Sequence, residues 1–371
     1  MDFRLQPHQQ DTVTRAQGLA ESLRAQALVR DDEATFPLDS LKDLADAGLM
    51  GVNVRPEYGG LGAGVVAYSL AVSTIAAADP AVAVTMAVNN MVNEVIQQFG
   101  TDDQRQHLIP AITSGEFSCG SFCLSEPGSG SDAAGMRTRA TRTDDGWSIT
   151  GAKAWITSGA YAGIFLVWAS TGPPEDRAIS LFAVPADTPG ITVGNAEEKM
   201  GQHASNTVAL SFDDVKIPAD SIVGEPGMGF PIAMMALDGG RIGIASQSLG
   251  IADAARSIAE DLGLTDGLHE LDAALEAARS ITWRAAWLKE QGDRPFSREA
   301  SVAKLMASEV AGQWAAELYR RLPASSDSAF EDHRRFAAKL LRDVRVTRIY
   351  EGTSEIQRIV IARDLIRRAS P

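Results

Sequence analysis

The sequence predicts three domains in α, β, α order: an N-terminal α-helical domain (1–116), a middle β domain of barrel or sandwich type (117–224) and a C-terminal four-helix bundle domain (225–371). Three observations carry that prediction. Apolar residues recur every three to four positions at both ends of the chain, the spacing of an amphipathic helix. Between them lie short apolar or alternating runs bounded by Gly, Pro and Asp, with no helix-length segment among them, which argues against a parallel α/β sheet. After Gly224-Glu225-Pro226-Gly227 the long helical runs return.

Taken in order, Val13, Ala16, Leu19, Ala20, Leu23 and Ala27 mark a first helix within Thr12 to Arg30. Pro37 opens a second through Leu41, Leu44 and Ala45, and Gly48 stops it. The stretch from Gly59 to Asn93 carries one charge, Asp79, and so resembles a membrane span. Asp79-Pro80 breaks it in the middle, and Ser69, Ser73, Thr74, Asn89, Asn90 and Asn93 would be costly in lipid. Two buried helices joined at Asp79-Pro80 is the better reading. Thr101 or Asp102 caps a short helix before Pro110. Strands are predicted at Phe117 to Leu124, Met136 to Thr143, Ile164 to Ala169, Ile179 to Val184 and Thr207 to Phe212. Asp145-Gly146 gives a hairpin signal before Trp147 to Thr150. The last helices run over Pro231 to Leu262, Leu268 to Gln291, Ser297 to Arg320, Asp332 to Ile349 and Glu355 to Arg368. Four long helices with short connections suggest an antiparallel bundle.

Composition narrows the function. A chain of 371 residues with 45% hydrophobic content fills a sizeable core, and a formal charge of -14 speaks against nucleic acid as a partner. Two cysteines, Cys119 and Cys123, make neither a disulfide framework nor a zinc site and fit a reduced, cytoplasmic setting. The opening MDFRLQPHQQ has no apolar core of a secretory signal.

Several short motifs carry little. Gly62-Ala63-Gly64-x-x-Ala67 and Gly128-Ser129-Gly130-x-x-Ala133 fit a loose dinucleotide fingerprint but lack its strand–turn–helix context. Ser301-x-x-Lys304 fits a serine-acylase pattern without its companions and reads as a helix-surface coincidence.

Two segments are far more specific. Cys123 to Gly135 reads CLSEPGSGSDAAG, and Ile349 to Arg358 reads IYEGTSEIQR. Together they resemble the flavin-binding signature and catalytic-base segment of the acyl-CoA dehydrogenase family, and the resemblance spans nearly the whole chain. It implies the family's fold, with a middle β-barrel, and FAD as cofactor. It implies flavin contacts from Phe122, Leu124, Ser125, Gly130 and Ser131, the last also near the CoA pyrophosphate. Lys153-Ala154-Trp155-Ile156-Thr157 resembles the next family motif, with Trp155 shielding the flavin, Ile156 beside it and Thr157 near N5. Lys199-Met200-Gly201 with Ser205 and Thr207 also follows the family, although His203 stands where an Arg is common. Asp238 and Arg241 are spaced for a salt bridge on one helix face, and the resemblance places them and Ser131 at the CoA arm. The family's base falls on Glu351, between Tyr350 and Gly352 at the substrate, with Thr353 and Glu355 toward the flavin from the partner side. A carboxylate there needs a dry pocket that raises its pKa toward the substrate's α-proton.

The chain departs from the family pattern twice. The R-x-Q-F-G loop is missing from Asp253 to Ala286, a region shortened by roughly ten residues in connection length, and Asp261, Asp266 and Glu270 make it acidic. Where a G-G-x-G-Y turn is usual, register places Asp327-Ser328. Both lost segments meet the adenosine-diphosphate part of a neighbour's FAD in the family. The resemblance therefore implies an acyl-CoA substrate, an electron-transfer flavoprotein as acceptor and a homo- or hetero-oligomer, the latter with a paralogous subunit. A non-catalytic or FAD-deficient companion subunit is the alternative. Acyl chain length is not legible.

Overall fold

The computed structural model describes residues 4–173, 178–292, 295–323 and 328–369. The N-terminal helices are α1 (Pro7–Glu33), α2 (Leu38–Asp46), α3 (Gly64–Ala78), α4 (Pro80–Phe99) and α5 (Asp102–Thr113). The break between α3 and α4 falls at Asp79, whose carboxylate accepts from the Ala81 N–H and caps α4. This buried charge is matched: Lys339 Nζ donates to it at 3.2 Å and Arg30 lies at 3.8 Å. Thr101 caps α5 with a reciprocal bond from Gln104. Contrary to the sequence reading, α5 continues through Pro110 to Thr113. Ile109, Ala111 and Ile112 are buried there, and the Thr113 hydroxyl donates to Tyr58 O at 3.1 Å. Packing outweighs the one backbone donor that proline removes.

The middle strands are β1 (Cys119–Cys123), β2 (Arg139–Arg142), β3 (Gly146–Thr157), β4 (Ala162–Ser170), β5 (Ile179–Pro185), β6 (Ile191–Ala196), β7 (Thr207–Pro218) and β8 (Ile222–Val223). They join in the order β6-β7-β3-β2-β4-β5-β8, with β1 added parallel to β4. Trp147 of β3 meets Phe182 of β5 edge-on at 5.2 Å across two intervening strands, so one sheet curls on itself, the barrel solution rather than the sandwich. The sequence reading missed β6 and β8. β6 has an exposed face with none of the alternation that betrays a half-buried strand, and β8 is two residues long.

The C-terminal helices are α6 (Gly229–Asp261), α7 (His269–Gln291), α8 (Ser297–Arg321), α9 (Ser328–Asp343) and α10 (Ser354–Ala369). α9 ends in a 3-10 turn over Val344–Arg348 instead of running to Ile349. One apolar cluster matters most for the site. It joins Met91 of α4, Leu124 after β1, Met136 and α6 residues, and Leu237 and Tyr350 pack against it. The two distant segments singled out in the sequence are thus brought to a single core. Burying each large side chain of such a cluster contributes about 1.5–3 kcal/mol. Among the described residues no helix is long and apolar enough to cross a membrane.

Candidate active site

Glu351 stands in a loop between the 3-10 turn and α10, with φ of 53°, followed by Gly352 at 85°. Left-handed backbone at a glutamate costs of order 1–3 kcal/mol and persists only where its surroundings hold it. Here they do. Lys304 of α8 donates its ammonium to Gly352 O at 2.7 Å, and Gln357 of α10 donates to Glu351 O at 3.1 Å and to Gly352 O at 2.8 Å. From below, Tyr350 is fixed by its hydroxyl, which donates to Gln247 of α6 and accepts from Gln202.

The loop turns the Glu351 carboxylate against α6. A methyl group on Gly240 would lie 2.4 Å from Oε2 and 3.1 Å from the Met91 sulfur. Oε2 is buried and has no hydrogen-bond partner. Burial pushes the carboxyl up to about 7, against the opposing pull of Arg241 and Lys304. Lys304 is itself brought down to about 8 by burial, with Glu351 acting the other way. An unpartnered carboxylate near neutrality is what proton abstraction requires.

The other predicted residues form a second wall. Glu126 receives Arg137 N–H at 2.6 Å, Thr138 N–H at 3.0 Å and Lys153 Nζ at 2.9 Å, and Lys153 also holds Leu124 O at 3.1 Å. These bonds pin the 124–130 loop to β3. Around Gly128 and Gly130 the space is open, and Ser131 is exposed. Phe122 stacks at a tilt on Trp168 with centroids 4.1 Å apart, while Ser125 O accepts from Ala154 N–H at 2.9 Å. In β3 the register slips between Lys153 and Ile156, and Trp155 takes φ of 61°. This bulge throws Trp155 out, leaving it 64% exposed. Ile156 points the opposite way into the sheet core, so only its backbone is available to a bound molecule. Thr157 O is taken by the Ser121 hydroxyl at 2.7 Å. Thr353 and Glu355 stand at the start of α10, where the Thr353 hydroxyl accepts from Ile356 N–H at 3.4 Å and Glu355 is exposed.

Asp238 and Arg241 form the salt bridge their spacing predicts. Ser297 donates to Asp238 at 2.8 Å, and Arg241 Nη1 reaches Ser301 at 3.4 Å. Arg241 is buried with Nε unpartnered. Ser301 and Lys304 are buried too, which corrects their reading as a helix-surface coincidence. The sequence reading missed the parts played by Lys304 and Gln247 because each meets a group remote in the chain, and that of Gln357 because nothing local shows its side chain turning back onto the loop carbonyls. A groove of about 650 Å³ between α1, α3, α6 and α7 contains none of the candidate site residues.

The α6–α7 connection spans residues 262–268 as a tight turn, with Gly263 and Gly267 at positive φ, in place of the expected R-x-Q-F-G loop. Of the second departure, Asp327 lies outside the described residues.

Comparison with known proteins follows the same division. Residues 6–116 match the acyl-CoA dehydrogenase N-terminal domain, 121–215 the middle domain and 227–366 the C-terminal domain. The short-chain specific acyl-CoA dehydrogenase of Bos taurus mitochondria is 42% identical over 357 residues, covering 91% of this chain and 84% of that protein. The structure of butyryl-CoA dehydrogenase from Megasphaera elsdenii superposes with a TM-score of 0.93 at 36% identity, covering 99% of this chain and all of that one. A glutaryl-CoA dehydrogenase from Mycobacterium smegmatis in complex with FADH2 superposes at 0.87 with 26% identity, covering 97% and 95%.

Proposed function

This chain belongs to the acyl-CoA dehydrogenase family, and from that premise we propose that Glu351 is the base that removes the α-proton of an acyl-CoA thioester. The enzyme is an FAD-dependent oxidoreductase. The observation that carries the Glu351 assignment is its buried, unpartnered Oε2 over Gly240 with a pKa brought to about 7.

The residues present fit a flavin. The open space over Gly128 and Gly130, the outward Trp155 and the nearby Thr157 leave a cradle for a planar ring. Phe122, Leu124, Ser125, Gly130, Ser131 and the backbone of Ile156 would line it, with Thr353 and Glu355 beyond. When bound, FAD supplies the hydride acceptor. The chain's own part is to orient and to move a proton. The Glu351 N–H makes no hydrogen bond among the described residues, and it would donate to the thioester carbonyl and so acidify the α-carbon. The Glu351 carboxylate then takes that proton. Lys304 and Gln357 keep the loop from relaxing meanwhile, since both grip its carbonyls. Met91, Leu237 and Tyr350 exclude water. Asp238, Arg241 and Ser131 would meet the CoA arm, with electrons leaving to an electron-transfer flavoprotein. The test is anaerobic mixing with acyl-CoA: flavin absorbance should bleach with the native chain and persist with Glu351→Gln.

The short, acidic α6–α7 turn favours a second reading of the assembly, in which a paralogous subunit supplies the adenosine-diphosphate contacts. Yellow, active protein from this chain expressed alone would refute it.

A further inference from the structure

Three α6 positions facing α4 lack side chains, Gly239, Gly240 and Gly243, and each is occupied from outside by a polar group. A methyl on Gly239 would lie 2.3 Å from Lys289 Nζ, one on Gly240 2.4 Å from Glu351 Oε2, and one on Gly243 2.4 Å from the Tyr68 hydroxyl. The opposite face of α4 shows Ala87 near Gly243 and Met91 near Gly240, with Glu94 near Gly239, where it holds Lys289 at 2.6 Å. The slot between α4 and α6 therefore has an order: the Lys289–Glu94 pair, then the base, then the phenol.

We propose that Tyr68 is the floor of the acyl slot and gauges chain length, so that the substrate is a short acyl group. This rests on the dehydrogenase reading of Glu351. Tyr68 projects from α3, is 5% exposed and sets its hydroxyl directly on the α6 backbone. Three residues of helix separate Gly240 from Gly243, a rise of about 4.5 Å. The phenol therefore stands less than one helical turn beyond the base and blocks a long chain from running on between α4 and α6. Ala87 closes the same end from α4, 3.6 Å from the position a Gly243 methyl would take. The Tyr68 hydroxyl has no hydrogen bond among the described residues, so no polar partner draws it aside. Its position is set by the ring's packing within the helical core.

The test uses the flavin-loaded enzyme and saturated acyl-CoAs of four, six and eight carbons, read by anaerobic bleaching and kcat/KM. The native enzyme should prefer four carbons to eight by at least about 100-fold, the scale on which an apolar pocket rejects excess methylenes. Tyr68→Ala should raise the eight-to-four ratio by about 100-fold, and Tyr68→Phe should leave it within a few-fold. Tyr68→Leu, which keeps an apolar anchor in α3, should move the ratio in the same direction if the alanine variant does not fold. Equal rates with four and eight carbons in the native enzyme would overturn the gauge while leaving the dehydrogenase reading intact. So would an unchanged ratio in both Tyr68→Ala and Tyr68→Leu. No bleaching with any acyl-CoA would take down the dehydrogenase reading and the gauge with it.

Discussion

Glu126 and Glu351 are both buried carboxylates with a buried lysine nearby, yet the two regions leave them in opposite states. Burial pushes each upward. At Glu126, Lys153, Thr138 and the Arg137 N–H more than reverse that push and hold the carboxyl below its ordinary range. At Glu351 the corresponding lysine, Lys304, gives its hydrogen bond to Gly352 O instead, and the carboxyl stays raised to about 7. The lesson is that hydrogen-bond donors, not depth, separate a structural carboxylate from a base. A positive-φ loop is what takes Glu351 out of their reach.

The sharpest way to break this comparison is Glu351→Gln. Losing a positioned base costs about 10²–10⁴-fold, and we expect the upper end in kcat/KM with flavin content retained. Next comes Glu126→Gln, which leaves Lys153 buried without its counter-charge. The expected loss is about 3–5 kcal/mol in denaturant unfolding, with the pH profile of any surviving activity unchanged. An equal loss of activity alone, without destabilisation, would erase the distinction between the two carboxylates.

The third outcome follows from linkage. Because the folded chain holds the Glu351 proton more tightly than the unfolded chain, this group's contribution is most favourable below its ordinary value of 4.5. It is lost as pH rises to about 7. Glu351→Gln should therefore be more stable than the native chain above pH 7, by about 3 kcal/mol, and should show no gain near pH 4. The same titration predicts a rising limb of kcat/KM centred near pH 7 in the native enzyme. Fourth, Gly240→Ala would press a methyl onto Oε2 and should cost about 10²-fold in kcat, the effect of displacing a reacting group by about 1 Å. Smallest is Lys304→Met, which removes a charge that favours the carboxylate and should move the limb upward by about one pH unit, while Lys304→Arg should restore it.

The sequence made the chemistry legible where chemistry and neighbours lie close in the chain. Glu351 with Gly352, Glu126 with its glycine-rich loop, and the Asp238–Arg241 spacing were all visible as local patterns, as was the break at Asp79-Pro80. Helices were legible because apolar spacing survives without knowledge of the partner surface. Strands of two residues, or with no buried face, left no such trace. Nor could spacing show that Lys304 and Ser301 face inward, since a polar pair on a helix ordinarily faces water.

By itself, then, the sequence determined the order of elements, the carboxylate that could serve as base and the small residues that admit a flavin. Tertiary structure alone decided which carboxylate keeps its proton near neutrality, because that depends on donors from α8, α10 and the 137–138 backbone meeting or missing an oxygen. It also decided where the acyl slot ends. Tyr68 and Gly243 are 175 residues apart in the chain, and only the packing of α3 on α6 brings the phenol to the gap that a missing side chain leaves.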